Sequence, residues 1–416
     1  MELARQNSSS SGSGRALAAI FGAEVTIRHV TRVCVIVPSY NYAKYLRVCI
    51  NSVLHQEGVD VRVLVVDNKS TDSSVAIARA MAGLDARVEV REHAKNVGLI
   101  SSLNEGLRWS IDRDSDLTLT LSADDVLAPG ALARAAEAFN AHPEVGLVYG
   151  RTSMLRGDAD PPSPRTTAKG LAIYEGVGWI ARVCRLGRNP LFDPEVVMRT
   201  NVYAEIGCYN AVLPHTSDME MWLRSAARAD VGKIHGAVQA FYRVHDKQLS
   251  RSAWSDRIGD LEARRLAFDE FFRQDGDLLP DGNDLARLAR RALSRDALRL
   301  GSQAYSRGET GRVDVDDLVA FAQRLDATSL SSPSAAGLRV RRRLGPTASR
   351  PLRLLEFSRI AHGLSSRLEW TLARLNTLAD ASAGPVDSGE RERDRPQAAS
   401  LSPDDEPIYR FARRRE

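Results

Sequence analysis

Two acidic constellations carry the residue types that could do chemistry. One closes a hydrophobic run, Leu119-Thr-Leu-Ser-Ala-Asp124-Asp125; the other opens a run with helical spacing, Ser217-Asp218-Met-Glu220-Met-Trp222-Leu-Arg224. A hard divalent cation wants oxygen ligands and keeps waters and substrate phosphates in its remaining positions, so one or two carboxylates at the end of a strand suffice to hold it against a diphosphate. A single positioned carboxylate such as Asp218 can take the proton of an attacking hydroxyl. Glu220, two residues on, would point elsewhere from a helix. Each reading has a plainer rival. An acidic pair ahead of a helix is a common N-cap, with Pro129 suited to a first turn, and Asp218 could merely cap the amphipathic helix of Met221, Trp222 and Leu223.

The elements that must position these acids follow a regular grammar. Val33-Cys-Val-Ile-Val37 is a continuous run stopped by Pro38, as expected of a strand covered on both faces. Leu46, Cys49, Ile50, Val53 and Leu54 then recur at helical spacing, and Val61-Arg-Val-Leu-Val-Val66 gives a second strand, completing a βαβ unit with a right-handed crossover. Asp67-Asn-Lys-Ser-Thr71 leads into a helix through about Gly83, followed by a strand near Val88 to Arg91. A helix with Ile100, Leu103, Leu107 and Ile111 precedes the strand Leu117 to Leu121, which delivers the acidic pair; a helix over Ala131 to Ala141 and a strand over Val145 to Tyr149 follow. This alternation predicts an α/β fold with a doubly wound, mostly parallel sheet, and ligands gather at the carboxyl ends of such strands.

Beyond that, residues 151–170 read as a long loop, Val177 to Leu186, Pro194 to Ile206 and Asp218 to Ala229 as mainly helical, and Ala237 to Val244 as a strand. The expected organisation is a flexible N-terminal arm over residues 1–30, a catalytic unit over 31–255, a helical region over 256–328, a linker and basic amphipathic helix over 329–380, and a polar tail over 381–416. The linker is placed at Ser329 to Ala336. Hydrophobic residues make up 43% and charged residues 26%, an ordinary globular balance, and a net charge of +4 favours anionic partners only mildly. The four cysteines are scattered with no CxxC pair, which points away from a zinc site or disulfide scaffold and toward a reducing cytoplasm. No run approaches the roughly 18 apolar residues of a membrane span, and Leu17 to Phe21 falls short of a secretory core of about 7 to 15 residues.

Taken together and in order, Val35-Ile-Val-Pro38-Ser-Tyr40-Asn41-Tyr-Ala-Lys-Tyr-Leu46, Val66-Asp67-Asn-Lys-Ser70-Thr-Asp72, Asn96-Val-Gly98 with Asn104, Ser122-Ala-Asp124-Asp125 and Ser217-Asp218 with Trp222-Leu-Arg224 resemble the family 2 glycosyltransferases of the GT-A fold. The resemblance spans about residues 31 to 250. It implies inverting transfer from a nucleotide-diphosphate sugar, most often a uridine derivative, with Mn2+ or Mg2+ as cofactor. It also implies roles: Pro38, Tyr40 and Asn41 wall the base, Asp67 reads its edge, Asn96 and Gly98 shape the donor pocket, Asp124 bonds the ribose, Asp125 ligates the metal and Asp218 is the base. Tyr242-Arg243-Val244-His245 resembles the closing Arg-x-His element, whose Arg243 suits phosphate and whose His245 can join the metal. Turn, cap or surface roles remain open for Asp67, Tyr40, Asn96, Gly98 and His245, and Arg224 suits either a buried ion pair or a phosphate.

The chain departs from the family pattern at Ser122, Asn68 and Ser217, where acids are common; the first bears on the metal or ribose contacts, and the other two leave the essential carboxylates intact. The absence of a Gln-x-x-Arg-Trp element argues for single-sugar addition rather than processive synthesis, onto a glycan or lipid-linked acceptor of a surface polysaccharide or glycoconjugate. Leu338 to Leu378 carries an apolar stripe from Phe357 to Leu375 after the basic Arg339-Val-Arg-Arg-Arg343 cluster. Such a helix could lie at the inner face of the plasma membrane, or dock on the catalytic unit or a second subunit as a homodimer. The rival classes are a catalytically degenerate nucleotide-sugar-binding protein and a Rossmann-type enzyme, the latter disfavoured because no G-x-G-x-x-G follows the first strand. Nucleic-acid binding is disfavoured because the arginines gather in one C-terminal stretch.

Overall fold

A computed structural model describes residues 30–213, 215–245 and 256–352. The alternation seen in the sequence produces β1 (Arg32–Ser39), α1 (Ala43–Leu54), β2 (Asp60–Asp67), α2 (Ser74–Leu84), β3 (Val88–Glu92), α3 (Leu99–Asp112) and β4 (Leu117–Thr120). Next come the two-residue β5 (Val126–Leu127), α4 (Ala131–Ala141), β6 (Val145–Arg156), β7 (Gly170–Tyr174), α5 (Gly176–Leu186), a 3-10 turn (Asp193–Glu195), β8 (Val197–Arg199), α6 (Thr200–Ile206), α7 (Ser217–Ala226) and β9 (Asp230–Val244). Four further helices follow: α8 (Arg257–Asp275), α9 (Gly282–Arg307), α10 (Val315–Leu325) and α11 (Pro333–Ser349).

The strands form one mixed sheet in the order β3-β2-β1-β4-β8-β6-β9-β5, with β7 also paired to β9. β1 runs parallel to both β2 and β4, and β2 to β3. β8 is antiparallel to β4 and β6, whereas β6 and β9 are parallel to each other. The mostly parallel, doubly wound sheet expected from the sequence is therefore present, with an antiparallel element inserted in its middle.

Buried side chains cover both faces. Val33, Val35 and Val37 point with Val61, Val63 and Val65 toward α1, α2 and α4, meeting Leu46, Ile50, Met81, Leu132 and Phe139. Alternate residues such as Ile36 and Leu147 point the other way, toward Leu107, Trp179, Met198 and Trp222. On that face Gly106 is required by close approach, because a Cβ there would sit 2.2 Å from Ile36 Cγ2. The same core continues through Leu261, Phe268, Phe271, Leu293, Phe321 and Leu338, so the expected boundary near residue 256 divides the sequence but not the packing.

Several expectations are corrected. Pro194 to Ile206, read as helical, contains a 3-10 turn and the three-residue β8 before α6, because Val197-Met198-Arg199 finds ladder partners on β4 and β6. The long loop shrinks to residues 157–169, since β6 runs on to Arg156 against β9, and Gly170–Tyr174 adds β7. Ser329 to Ala336 is not a linker: a 3-10 turn is followed by α11, capped by Ser332 Oγ, which accepts the Ala335 N–H at 3.2 Å. Helix α11 packs through Ala335 and Leu338 and leaves Val340, Arg343 and Leu344 exposed. The Phe357–Leu375 stripe, the N-terminal arm and the tail lie outside the described residues. No helix among the described residues is long and apolar enough to cross a membrane.

Candidate active site

The first wall of the site is made where β1 and β2 end side by side, Pro38 opposite Val66 and Ser39 opposite Asp67. The loops that follow are stitched together. Asn41, held at a left-handed φ of 60°, donates its N–H to Ser70 Oγ at 2.9 Å and accepts the Thr71 N–H at 2.7 Å on its side chain. Tyr42 donates its N–H to Ser74 Oγ at 3.0 Å, and Ala43 to Asp72 at 3.1 Å. Tyr40 stands exposed at the rim. Asp67 is buried, and its two oxygens accept the Ser70 N–H at 2.8 Å and hydroxyl at 2.5 Å. A carboxylate offers about four lone-pair directions, so these bonds orient Asp67 and leave it capacity for another donor.

Asn96 and Gly98 belong to the adjoining loop. The Asn96 side-chain oxygen accepts from Asn68 Nδ2 at 2.9 Å and from the Gly98 N–H at 3.0 Å, while Asn68 in turn accepts the Val97 N–H at 2.8 Å. Asn68, which replaces an acid common in the family, thus acts as the pin between two loops. Asn104 serves a different segment: it exchanges hydrogen bonds of 2.9 and 2.8 Å with the main chain of Tyr209.

The acidic pair lies at the carboxyl end of β4. Asp124 and Asp125 are 3% and 1% exposed, which matters because two adjacent buried carboxylates cannot both be charged without compensation. Asp124 Oδ2 is 3.0 Å from His245 Nε2, and Asp125 Oδ1 accepts the Arg243 N–H at 2.8 Å. Burial, reinforced by the Asp124 charge, pushes the Asp125 carboxyl well above the usual carboxylate range. Arg243 is itself buried; its Nε–H donates to the Asp124 carbonyl at 2.9 Å, and its Nη1 donates to the carbonyls of Gly157 and Ala159 at 2.7 and 3.0 Å. Its guanidinium also lies 4.6 Å from the ring centre of Tyr45. The tip of β9 therefore ties the acidic pair to the start of the 157–169 loop, and Tyr45 and Lys44 reinforce the tie through Asp158.

These residues fit a divalent cation. Asp125 Oδ2 is buried with no hydrogen-bond partner, beside a second carboxylate, which is a costly arrangement for a protein to keep unless a positive charge meets it there. Among the described residues no group of three or more His, Cys, Asp or Glu side chains forms a full ligand cage. That suits a hard cation held by one or two carboxylates and completed by water and phosphate.

Asp218 enters from the first turn of α7. Its Oδ2 accepts from Asn189 Nδ2 at 2.6 Å, and burial raises its carboxyl to about 6 against the lowering effect of the Met219 and Asn189 hydrogen bonds. Glu220, by contrast, is fully buried in an ion pair with Arg224 at 2.8 Å, and Arg224 also donates to the Cys208 carbonyl at 2.8 Å. Arg224 is thus a buried ion-pair partner, the first of the two roles open to it. Trp222 packs edge-on to Tyr209 at 6.4 Å in the core.

Two residues of this site escaped the sequence reading. Asn189 orients Asp218, and Asp193 opens the 3-10 turn packed against β4, β5, β6 and β9. Burial and the Asp218 charge hold the Asp193 carboxyl well above its ordinary range, and Asp193 in turn raises Asp125. Asp125, Asp193 and Asp218 therefore share one electrostatic neighbourhood. The only signal available in sequence was an Asp between Phe192 and Pro194, in a stretch without periodicity.

Residues 34–195 match the family model described as glycosyl transferase family 2. An uncharacterized glycosyltransferase of Haemophilus influenzae is 24% identical over 221 residues, covering 52% of this chain and 67% of that protein. Among solved structures, S. aureus TarS 1-349 in complex with UDP-GlcNAc is similar with a TM-score of 0.54 and 19% identity, over 77% of this chain and 90% of that one, a likeness of fold. An uncharacterized glycosyltransferase of Nostoc sp. is 32% identical over 256 residues, 58% of this chain and 74% of that protein, and with it the chain belongs to the family 2 glycosyltransferases of the GT-A fold.

Proposed function

We propose that the chain is an inverting transferase that moves one sugar from a uridine-diphosphate donor to a hydroxyl of a glycan or lipid-linked acceptor, in the assembly of a surface polysaccharide or glycoconjugate. The observation that carries the reading is the segment 189–195, whose Asn189 bonds Asp218 at 2.6 Å and whose 3-10 turn packs on β4 and β5, the strands on either side of Asp124 and Asp125. In this reading Pro38, Tyr40 and Asn41 flank the base, Asp67 accepts its N–H, and Asn96 and Gly98 hold the neighbouring loop. Asp125, with His245, would hold Mn2+ or Mg2+ and Asp124 would bond the donor ribose; the ion would supply charge stabilisation for the departing diphosphate. Arg243 fixes the acidic pair and lends positive charge to the phosphate side. Asp218, poised near neutrality by burial and steadied by Asn189, takes the proton of the acceptor hydroxyl while the acceptor oxygen attacks the anomeric carbon and the diphosphate leaves. A single displacement, with the new bond to the acceptor oxygen forming as the bond to the diphosphate breaks on the opposite face, inverts the anomeric configuration.

The reaction is assigned to the cytoplasm, at the inner face of the plasma membrane when the acceptor is lipid-linked. The exposed Val340, Arg343 and Leu344 of α11 suit contact with an anionic surface. Thermal shift and donor hydrolysis with uridine-diphosphate sugars, each with and without Mn2+, test the reading. Metal-dependent stabilisation and hydrolysis by wild type, with hydrolysis lost in Asp218→Ala, are expected. Binding without metal-dependent turnover would instead identify a degenerate sugar-nucleotide-binding protein.

A further inference from the structure

The segment from Asn189 to Glu195 runs between the two working ends of the site. At its start Asn189 holds Asp218 at 2.6 Å. Near its end Phe192 packs on Tyr242 with ring centres 5.0 Å apart, next to the Arg243 that bonds Asp125. The 3-10 turn begun by Asp193 packs on β4 and β5, the strands that bracket Asp124 and Asp125. Asp193 is partly exposed as a residue, yet its Oδ1 is out of solvent contact and has no hydrogen-bond partner. A buried carboxylate oxygen without a donor is costly to maintain, and it marks a place that ordered water, an ion or a ligand hydroxyl can satisfy.

We propose that Asp193 is a specificity-determining residue whose Oδ1 accepts a hydrogen bond from a hydroxyl of the transferred sugar. The inference rests on the donor-binding reading above. In a transferase that sets the diphosphate at Asp124–Asp125 and the acceptor at Asp218, the sugar ring must span the interval between them. Asp193 is the carboxylate in electrostatic contact with both ends. Neighbouring polar groups do not substitute for a sugar hydroxyl there. Asn189 is turned to Asp218 and to the Leu191 N–H, and Glu195 accepts the Phe192 N–H at 3.3 Å from inside the core. A carboxylate at this place also rejects a donor whose sugar presents no hydroxyl to it, since both partners would then lose their bond.

Isothermal titration of wild type, Asp193→Asn and Asp193→Ser with Mn2+ and, in turn, UDP, UDP-glucose, UDP-galactose and UDP-N-acetylglucosamine tests this. Affinity for UDP is expected to stay within about twofold, while affinity for the preferred sugar nucleotide falls about 5- to 10-fold, the worth of an uncharged hydrogen bond. Discrimination among the three sugars is expected to flatten with it. Equal weakening of UDP and its sugars, or unchanged discrimination in a variant that melts like wild type, overturns the inference and leaves the donor reading standing. Failure of wild type to bind any of the four overturns the donor reading itself.

Discussion

Asp125 and Asp218 are the same residue type, both largely taken out of water, and their surroundings differ. Asp125 sits beside a second carboxylate, with one oxygen on the Arg243 N–H and the other buried without a partner. Such a site is unsatisfied in the protein alone and calls for an external positive charge. Asp218 has no adjacent acid in sequence; it is held by Asn189 and its carboxyl is lifted to about 6, where it can both lose and take a proton near neutral pH. The lesson is that burial by itself does not select a role. The same desolvation leaves an unpartnered oxygen where a second carboxylate is close in the chain, and a carboxyl lifted to about 6 where an amide steadies a lone one; the cation and proton-acceptor roles proposed above rest on that difference.

That contrast can be broken or sharpened by experiment. The largest effect is expected from Asp218→Asn, which should lower the turnover number about 10²- to 10⁴-fold while donor affinity, read by titration, stays within about twofold. Loss of donor affinity in this variant would erase the distinction between the two ends. Asp125→Ala should weaken Mn2+-dependent donor binding by about 10-fold or more and make the residual binding insensitive to the metal. Binding that remains metal-dependent would return the cation to other ligands.

The third effect is a pH profile. Asp218 must be ionised to accept a proton, so the turnover number should fall about tenfold per unit below a midpoint of about 6. Asn189→Ala removes a bond to the ionised form and should move that midpoint upward, with a several-fold loss of rate at pH 6. An acid limb that is unmoved in Asn189→Ala would show that another group titrates there.

The smallest effect concerns stability. Because the folded carboxyl of Asp218 lies above its ordinary value of 3.8, the folded state holds the proton more tightly than the unfolded chain. The ionised side chain therefore costs nothing below about pH 4, and its cost grows as pH rises to about 6 and is full above it. Asp218→Asn should then gain about 1–2 kcal/mol in urea unfolding at pH 8 and almost nothing at pH 4, allowing for partial exposure of the side chain. An equal gain at both pH values would assign it to packing.

The β1–β4 half of the fold was legible in the sequence because its physics is local. Parallel strands covered on both faces are continuous apolar runs, and of the proposed site residues Asp67 ends one and Asp125 lies five residues past the end of another. Asp218 was legible as the first acid of an amphipathic helix. Between them legibility failed. Val197-Met198-Arg199 is too short to show a period, and becomes a strand only because β4 and β6 offer it partners. Asp193 has no local signature, since what marks it is its distance in sequence from the charges it meets. Asn68 was underdetermined for the same reason, since its amide pin is made by Asn96 and Val97, many residues away. Arg224 pairs with Glu220 only one helical turn back, and what the sequence left open was the burial that encloses the pair and the second bond to the Cys208 carbonyl.

Strand β8 has a consequence for inheritance. Three residues long and antiparallel to both neighbours, it lets the chain turn back across the sheet after Glu195 while β1 to β4 keep their own register. If Asp193 meets the sugar as proposed, substitutions within 189–196 would change which sugar is accepted while β1 to β4 keep their pairing, so a lineage could part from its kin at that one segment.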